Sequence, residues 1–372
     1  MLSSSQPVPV MLPKELTDAD EALHSLYQRI TFSRYLNPVN AEEARQDFLA
    51  GAEVPPFSYM RADWAPEALA LLDRLKPPLE HPLGPMVADS IHGARLLILA
   101  LKERSAEAFS ALADFGNWRA DEDLLVVAKE QVRGVDITPF SRTAQALLED
   151  LEEALIARGM TEWRVEMDPV MGARVLVDSA KMVLRVNSRA RFRDRDTAKL
   201  IAHEIDVHAL RAENGKKQCL RIFETGLPGS LETEEGLALY AEECVQASDP
   251  GNAWCQGLVV QAVDWGESIG FRELYERLAT LGGSGLAWGL SLRVKRGLAR
   301  PGEPGVYAKD IVYFRGLRTV RNWLSEGGNL AHLYVGKVSV DHPVQEWLDA
   351  GLIQSSVAPP LFAGVGIETE RA

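Results

Sequence analysis

A chain of 372 residues, 46% hydrophobic and 25% charged, has ordinary globular composition and is long enough for more than one core. Its net charge of −13 disfavours nucleic acid, an anionic membrane surface or an acidic peptide tail as partner, since each rewards clustered Lys and Arg. Three cysteines, Cys219, Cys244 and Cys255, with no Cys-x-x-Cys spacing, predict neither a disulfide framework nor a zinc knuckle and suit a reducing cytoplasm. No long apolar run predicts a membrane span, and no basic start followed by an apolar stretch predicts a signal peptide.

Residues 1–13 are Ser- and Pro-rich and read as a loose tail. A helical lobe is expected over 14–155. Within it Asn40-Ala41-Glu42-Glu43 resembles a capping box opening a helix through Leu49, and Pro66 falls in the first turn of a helix between Asp63 and Leu75. Ile91 to Leu101 is too apolar for a surface helix, which makes it the core of this lobe; His92 within it reads as a core or rim histidine rather than a ligand. The lobe carries no chemistry of its own and reads as a lid or one wall of a cleft.

At Trp163 the apolar period changes. Trp163–Met167, Arg174–Val177 and Met182–Val186 are short β-rich runs broken by turn residues, predicting an antiparallel meander. Asp194 or Asp196 is placed to cap the helix that follows.

That helix carries Leu200-Ile-Ala-His203-Glu204-Ile-Asp-Val-His208, on which the chain is organised. Neutral imidazoles are good ligands for a divalent metal, and a carboxylate beside the first can take a proton from water there. The counts of His and of acidic residues give about a 0.02 chance of one such spacing somewhere in the chain. Five residues turn roughly 140° on a regular helix and aim the two rings apart, so the spacing predicts a locally over-wide π-type turn between His203 and His208. Catalytic zinc takes three protein ligands, and the run Thr233-Glu234-Glu235-Gly236-Leu237-Ala238 offers Glu235 as the third, with Glu234 the alternative.

Downstream the pattern is helical over Trp254–Trp265, Phe271–Leu281 and Leu286–Arg296, then turn-rich over residues 300–305. Tyr313 is a candidate oxyanion donor, weighed against a core-packed ring with its hydroxyl at the surface. Arg296 and Lys309 flank the loop and are candidates for gripping a free terminal carboxylate, with Arg293 and Arg315 in reserve. A terminal helix over Asp341–Ile353 and a tail over 356–372 close the chain; His332 and His342 read as structural or exposed.

His203-Glu204-Ile205-x-x-His208, Glu234-Glu235-Gly236-Leu237-Ala238, Lys309-Asp310-x-x-Tyr313-x-x-Gly316 and Tyr334-Val335-Gly336-Lys337 together resemble the tyrosine carboxypeptidase family. That family includes the microtubule-associated enzyme that removes the C-terminal tyrosine of α-tubulin and bacterial flavohaemoglobin expression-modulating proteins with a Gln-Glu-Gly-Leu-Ala motif. The resemblance is continuous over about 187–337. It departs at Glu234, where the motif has glutamine, and so leaves Glu235 as the matching glutamate. The resemblance implies one Zn²⁺ per chain on His203, His208 and Glu235, Glu204 as general base, and a peptide or protein C-terminus as substrate, with aromatic terminal residues preferred. The expected fold is α+β and mainly helical: an N-terminal lobe, then a zincin-like domain over 156–355 built of a short antiparallel sheet, a metal helix and a glutamate helix. Two alternatives stand beside it, a zinc amino- or dipeptidyl-peptidase and a non-enzymatic regulator with a structural metal site.

Overall fold

Helical spacing of apolar residues produces the helices Lys14–Arg29, Phe32–Leu36, Ala41–Leu49, Ala65–Arg74, Gly84–Glu103, Ala106–Phe115, Glu122–Lys129 and Ala144–Ala157 in the first half of the chain. They are seen in a computed structural model that describes residues 11–134, 138–169, 171, 173–249 and 251–362. The tails expected over 1–13 and 356–372 lie largely outside those residues. Three helices start on side-chain caps: Ser105, Asp121 and Thr143 each accept from the backbone N–H three residues on. Pro66 sits in the first turn of its helix, as expected. The Gly84–Glu103 helix buries Val87, Ile91, Ala94 and Ile98, while His92 is exposed against the Phe115 ring.

Asn40 does not cap its helix. Its side-chain amide donates to the Pro56 carbonyl at 2.9 Å and its oxygen accepts from the Ser58 N–H at 2.7 Å, so a distant loop has taken both groups. Asp194 and Asp196 likewise fail as caps. Asp194 accepts from Ser141, and Asp196, already the first residue of its helix, accepts from the Arg193 N–H and from Arg174.

The three expected strands form as β1 (Arg164–Asp168), β2 (Val175–Asp178) and β3 (Val183–Asn187), but not as a meander. Their order is β1-β3-β2; β1 runs parallel to β3 and β2 antiparallel to it. The reason lies in β3, whose Val183, Leu184 and Val186 are buried on both faces. Such a strand belongs in the centre with a partner on each side. β2 is thereby an edge. A two-residue antiparallel ladder joins Arg142–Thr143 to Arg191–Phe192.

Two apolar clusters grip the segment that follows. One joins Leu16, Leu23, Val87 and Ile98 of the N-terminal helices to Ala202, Val207, Leu237 and Tyr334. The other joins Leu147, Leu151, Leu184 and Phe192 to Ile205, Ala209 and Ala212. Each large apolar side chain so buried contributes about 1.5–3 kcal/mol. The histidine segment is therefore fixed on two sides, and its third side faces the helix Ser230–Cys244. Beyond it come Asn252–Gly266, Phe271–Gly282, Ser284–Lys295 and Ile311–Ser325; the last expected helix is shorter than read, Val344–Asp349. The whole is mainly helical with a small sheet, an α+β arrangement. Among the described residues no helix is long and apolar enough to cross a membrane, and all three cysteines are free.

Candidate metal centre

Ile201–Ala209 is π-helical, continuing the α-helix Asp196–Leu200 and passing into Leu210–Gly215. The Leu210 N–H reaches back five residues to the Ile205 carbonyl. In such a turn residues five apart stack as residues four apart do in an α-helix, which is the over-wide turn that the His203–His208 spacing predicts. The two imidazole centroids are 4.9 Å apart, with the rings steeply inclined.

The helix Ser230–Cys244 runs antiparallel to this segment and presents three glutamates. Glu242 Oε1 is 2.8 Å from His203 Nδ1, and Glu234 Oε1 is 2.8 Å from His208 Nδ1. A carboxylate only accepts, so each Nδ1 carries a hydrogen and Nε2 is the nitrogen left to turn a lone pair to a metal. Between them lies Glu235. Its Oε2 is 3.6 Å from His208 Nε2 and 4.0 Å from His203 Nε2, is buried, and has no hydrogen-bond partner. Ligand atoms about 2.0–2.2 Å from a tetrahedral zinc stand roughly 3.3 Å from one another, so this set fits a zinc-sized cation with a small contraction. The ligating atoms of His203, Glu204 and His208 also lie within 4.8 Å of one another. Proximity alone would admit Glu204 as a ligand, but the bare oxygen facing both Nε2 atoms belongs to Glu235. Glu204 then stands free beside them, itself buried.

Charge at the centre favours a cation. Burial alone would lower the His203 pKa, but the Glu242 hydrogen bond and the charges of Glu204, Glu242 and Glu235 outweigh it and raise it to about 9. Glu234 is no ligand in this arrangement. Burial would raise its pKa, yet the Lys337 and Arg211 cations and the His208 hydrogen bond hold it well below the usual carboxylate range. The alternative third ligand thus serves as a partner on the far nitrogen of a candidate ligand.

Glycine lets the next helix in. A Cβ on Gly236 would stand 2.1 Å from the Gly316 carbonyl oxygen, and one on Gly316 would stand 2.1 Å from that of Glu232. The Ile311–Ser325 helix therefore lies backbone to backbone against Ser230–Cys244, and Tyr313, one turn before Gly316, sits against Glu235. Burial, then the charges of Glu235 and Asp310, push its phenol well above the usual range. The half-buried ring does not hold its hydroxyl out at the surface. Arg293, whose guanidinium lies 5.3 Å from the Tyr313 ring centroid, pairs with Asp310 at 2.6 Å, and Arg296 pairs with the same oxygen at 2.9 Å.

Two cavities meet the centre. The larger, about 1060 Å³, is walled by Phe32, Leu97, Leu112, Phe115 and Trp118 on the lobe side and by Arg293, Arg296, Lys309 and Tyr313 on the other; it touches the centre at Tyr313 and not at the histidines. The smaller, about 240 Å³, is the one that His203, Glu204 and Glu242 line. The β2 edge strand and the residues leading into it run past both, Arg174 and Val175 in the small cavity and Ala173 and Leu176 in the large. The Lys309 ammonium makes no hydrogen bond or ion pair among the described residues, and Arg296 keeps its buried Nε without a partner.

A family model described as microtubule-associated tyrosine carboxypeptidase matches residues 127–367. The chain belongs to that family. The match is wider at both ends than the stretch read from the motifs, and it holds every candidate ligand while leaving the lobe side of the large cavity outside. Microtubule-associated tyrosine carboxypeptidase 1 of Mus musculus is 29% identical over 161 residues, 42% of this chain and 34% of the relative. The Rattus norvegicus protein of the same name is 28% identical over the same shares. The chain thus matches about a third of the length of these curated relatives.

Sequence reasoning passed over Glu242, Arg211 and Asp310. Glu242 was within reach, because it lies seven residues after Glu235 and two helical turns bring it to the same face. Nothing local marks Asp310 as the anchor of two arginines.

Proposed function

We propose that this chain is a zinc-dependent metallocarboxypeptidase with a zincin-like core, in which His203, His208 and Glu235 hold the metal and Glu204 is the general base. The carrying observation is the bare, buried Glu235 Oε2 facing two imidazole Nε2 atoms whose Nδ1 sides are already taken. A zinc ion held there supplies Lewis acidity to the scissile carbonyl and to water. Glu204 takes the proton from the attacking water and returns it to the leaving amine. Tyr313 turns its hydroxyl from Glu235 to the carbonyl oxygen as negative charge gathers there.

The substrate's last residue enters the large cavity and its chain lies along the β2 edge, which offers unpaired backbone groups to an extended peptide. Lys309, the wall cation without a partner, receives the terminal carboxylate. Arg296, held in place by Asp310, adds its unpartnered Nε. The apolar lobe side suits a large uncharged terminal side chain, which agrees with the activity named for the family.

Metal analysis beside peptide assays tests the reading. The expected result is about one zinc per chain, lost in Glu235→Ala, and release of the last amino acid from N-blocked peptides ending in Tyr or Phe. Cleavage that requires a free N-terminus would instead indicate an amino- or dipeptidyl-peptidase. Zinc bound without any peptide cleavage would indicate the regulator.

A further inference from the structure

Each histidine partner is itself gripped by a cation on its outer side. Glu242 Oε1 holds His203, while Lys199 Nζ stands 3.3 Å from Glu242 Oε2, an ion pair without hydrogen-bond alignment. Glu234 Oε1 holds His208 and meets Lys337 Nζ at 3.2 Å, while Arg211 donates to Glu234 Oε2. Lys199 is one turn before His203 and Arg211 one turn after His208, on the same continuous helix. The Lys199 and Arg211 relays therefore come from two helices, one carrying these cations and the imidazoles, the other the carboxylates, with Lys337 joining from outside them.

We propose that Lys199 and Arg211 are positioning residues: each holds the outer oxygen of a carboxylate whose inner oxygen fixes an imidazole, so that both Nε2 lone pairs converge on one point. Arg211 lines neither cavity, while Lys199 also lines the small one beside His203 and Glu204, so the test reads metal affinity rather than turnover. A carboxylate held by one oxygen alone swings about its own side-chain torsions, and outer partners of metal-ligating histidines affect metal affinity nearly as strongly as ligands do. Arg211 is fully buried and also donates to the carbonyls of Leu333 and Val338 at 2.7 and 2.6 Å, so its removal endangers the fold. Lys199 is half-buried and makes no other contact of that kind, so it carries the test.

This inference rests on the zinc reading above, and the wild-type chain separates the two. Zinc affinity of the full chain is measured by competition with a chromophoric chelator for wild type, Glu242→Gln, Lys199→Met and Lys199→Arg. Ring-nitrogen NMR of the zinc-loaded protein reports how firmly the His203 Nδ1–H is held by Glu242. Glu242→Gln is expected to weaken zinc roughly 10–100-fold and Lys199→Met about tenfold, at the lower end of that range, with Lys199→Arg restoring affinity. Lys199→Met should also broaden the His203 Nδ1–H signal of the zinc-loaded protein while leaving the melting temperature of the metal-free chain in place. Zinc bound by Lys199→Met as tightly as by wild type would overturn the inference alone, because Glu242 would then hold the ring unaided. So would a loss of affinity matched by a general loss of stability. No zinc on the wild-type chain would overturn both readings.

Discussion

The centre and the lobe side of the large cavity are near neighbours with opposite chemistry. At the centre two facing helices crowd four glutamates, two histidines and two cations, with Lys337 as a third cation from outside them, into a space that apolar packing has closed on two sides. The lobe side of the cavity gathers Phe32, Leu97, Leu112, Phe115 and Trp118 from segments spread along the first third of the chain and offers no charged side chain. Polar groups that must act together have to be held by one another, because an unpartnered buried charge is costly. An apolar wall has only to be the right shape, and it can be assembled from anywhere. Chemistry is therefore written compactly, and selectivity is dispersed.

Glu204→Gln sharpens the contrast most. It should lower kcat by about 10²–10⁴-fold while zinc content stays at the wild-type level, because the carboxylate moves a proton and does not hold the ion. If the variant cleaves peptides normally, the centre does not work as described. A smaller and selective effect is expected across the cavity. Leu112→Trp fills part of the apolar wall, and kcat/KM for peptides ending in Phe or Tyr should fall on the order of 10–100-fold relative to those ending in Ala, with zinc unchanged. Equal losses for all peptides would mean that the wall does not select.

The smallest effect concerns His342, whose neighbours Ser339 and Asp341 line the large cavity. His342 Nδ1 accepts the Ser339 N–H at 3.0 Å, and burial lowers its pKa from 6.5 to about 4, against a weaker opposing contact from Pro228. The fold therefore prefers it neutral. The stability it contributes is complete above about pH 6.5 and is lost as pH falls toward 4. His342→Asn, which can keep an acceptor without titrating, should melt within about 2–4 °C of wild type at pH 7 and fall less steeply by pH 5. Parallel melting curves for the two proteins would remove His342 from the acid response.

Legibility in the sequence followed the same division. The π-turn was readable because five residues between ligand types contradict the 3.6-residue period, and only a wider turn reconciles them. That Glu235 faces both imidazoles was readable from its neighbours, but the use made of Glu234 was not: adjacent residues on a helix point about 100° apart, and which of them faces the histidines depends on how the helix is rotated in the fold. Strand positions were legible from β-rich runs, whereas their order was not, since local alternation does not say which strand will be central. Asn40 shows how a local rule loses to a distant partner. Its helix formed where expected, while its side chain went to Pro56 and Ser58. The lobe's part as a wall was foreseen in outline, but its residues were not, for shape leaves no spacing to read.

The glycine contact between Gly236 and Gly316 decides where this molecule can breathe. Two helices that touch through main chain have no rotamers between them to relax, so the spacing of Glu235 and Tyr313 is set like a gauge block rather than a spring. Heat and solvent that loosen side-chain packing leave that gauge alone. On the proposed function, the opening that would admit a peptide falls to the other jaw, the lobe helices, which meet the cavity through deformable side chains.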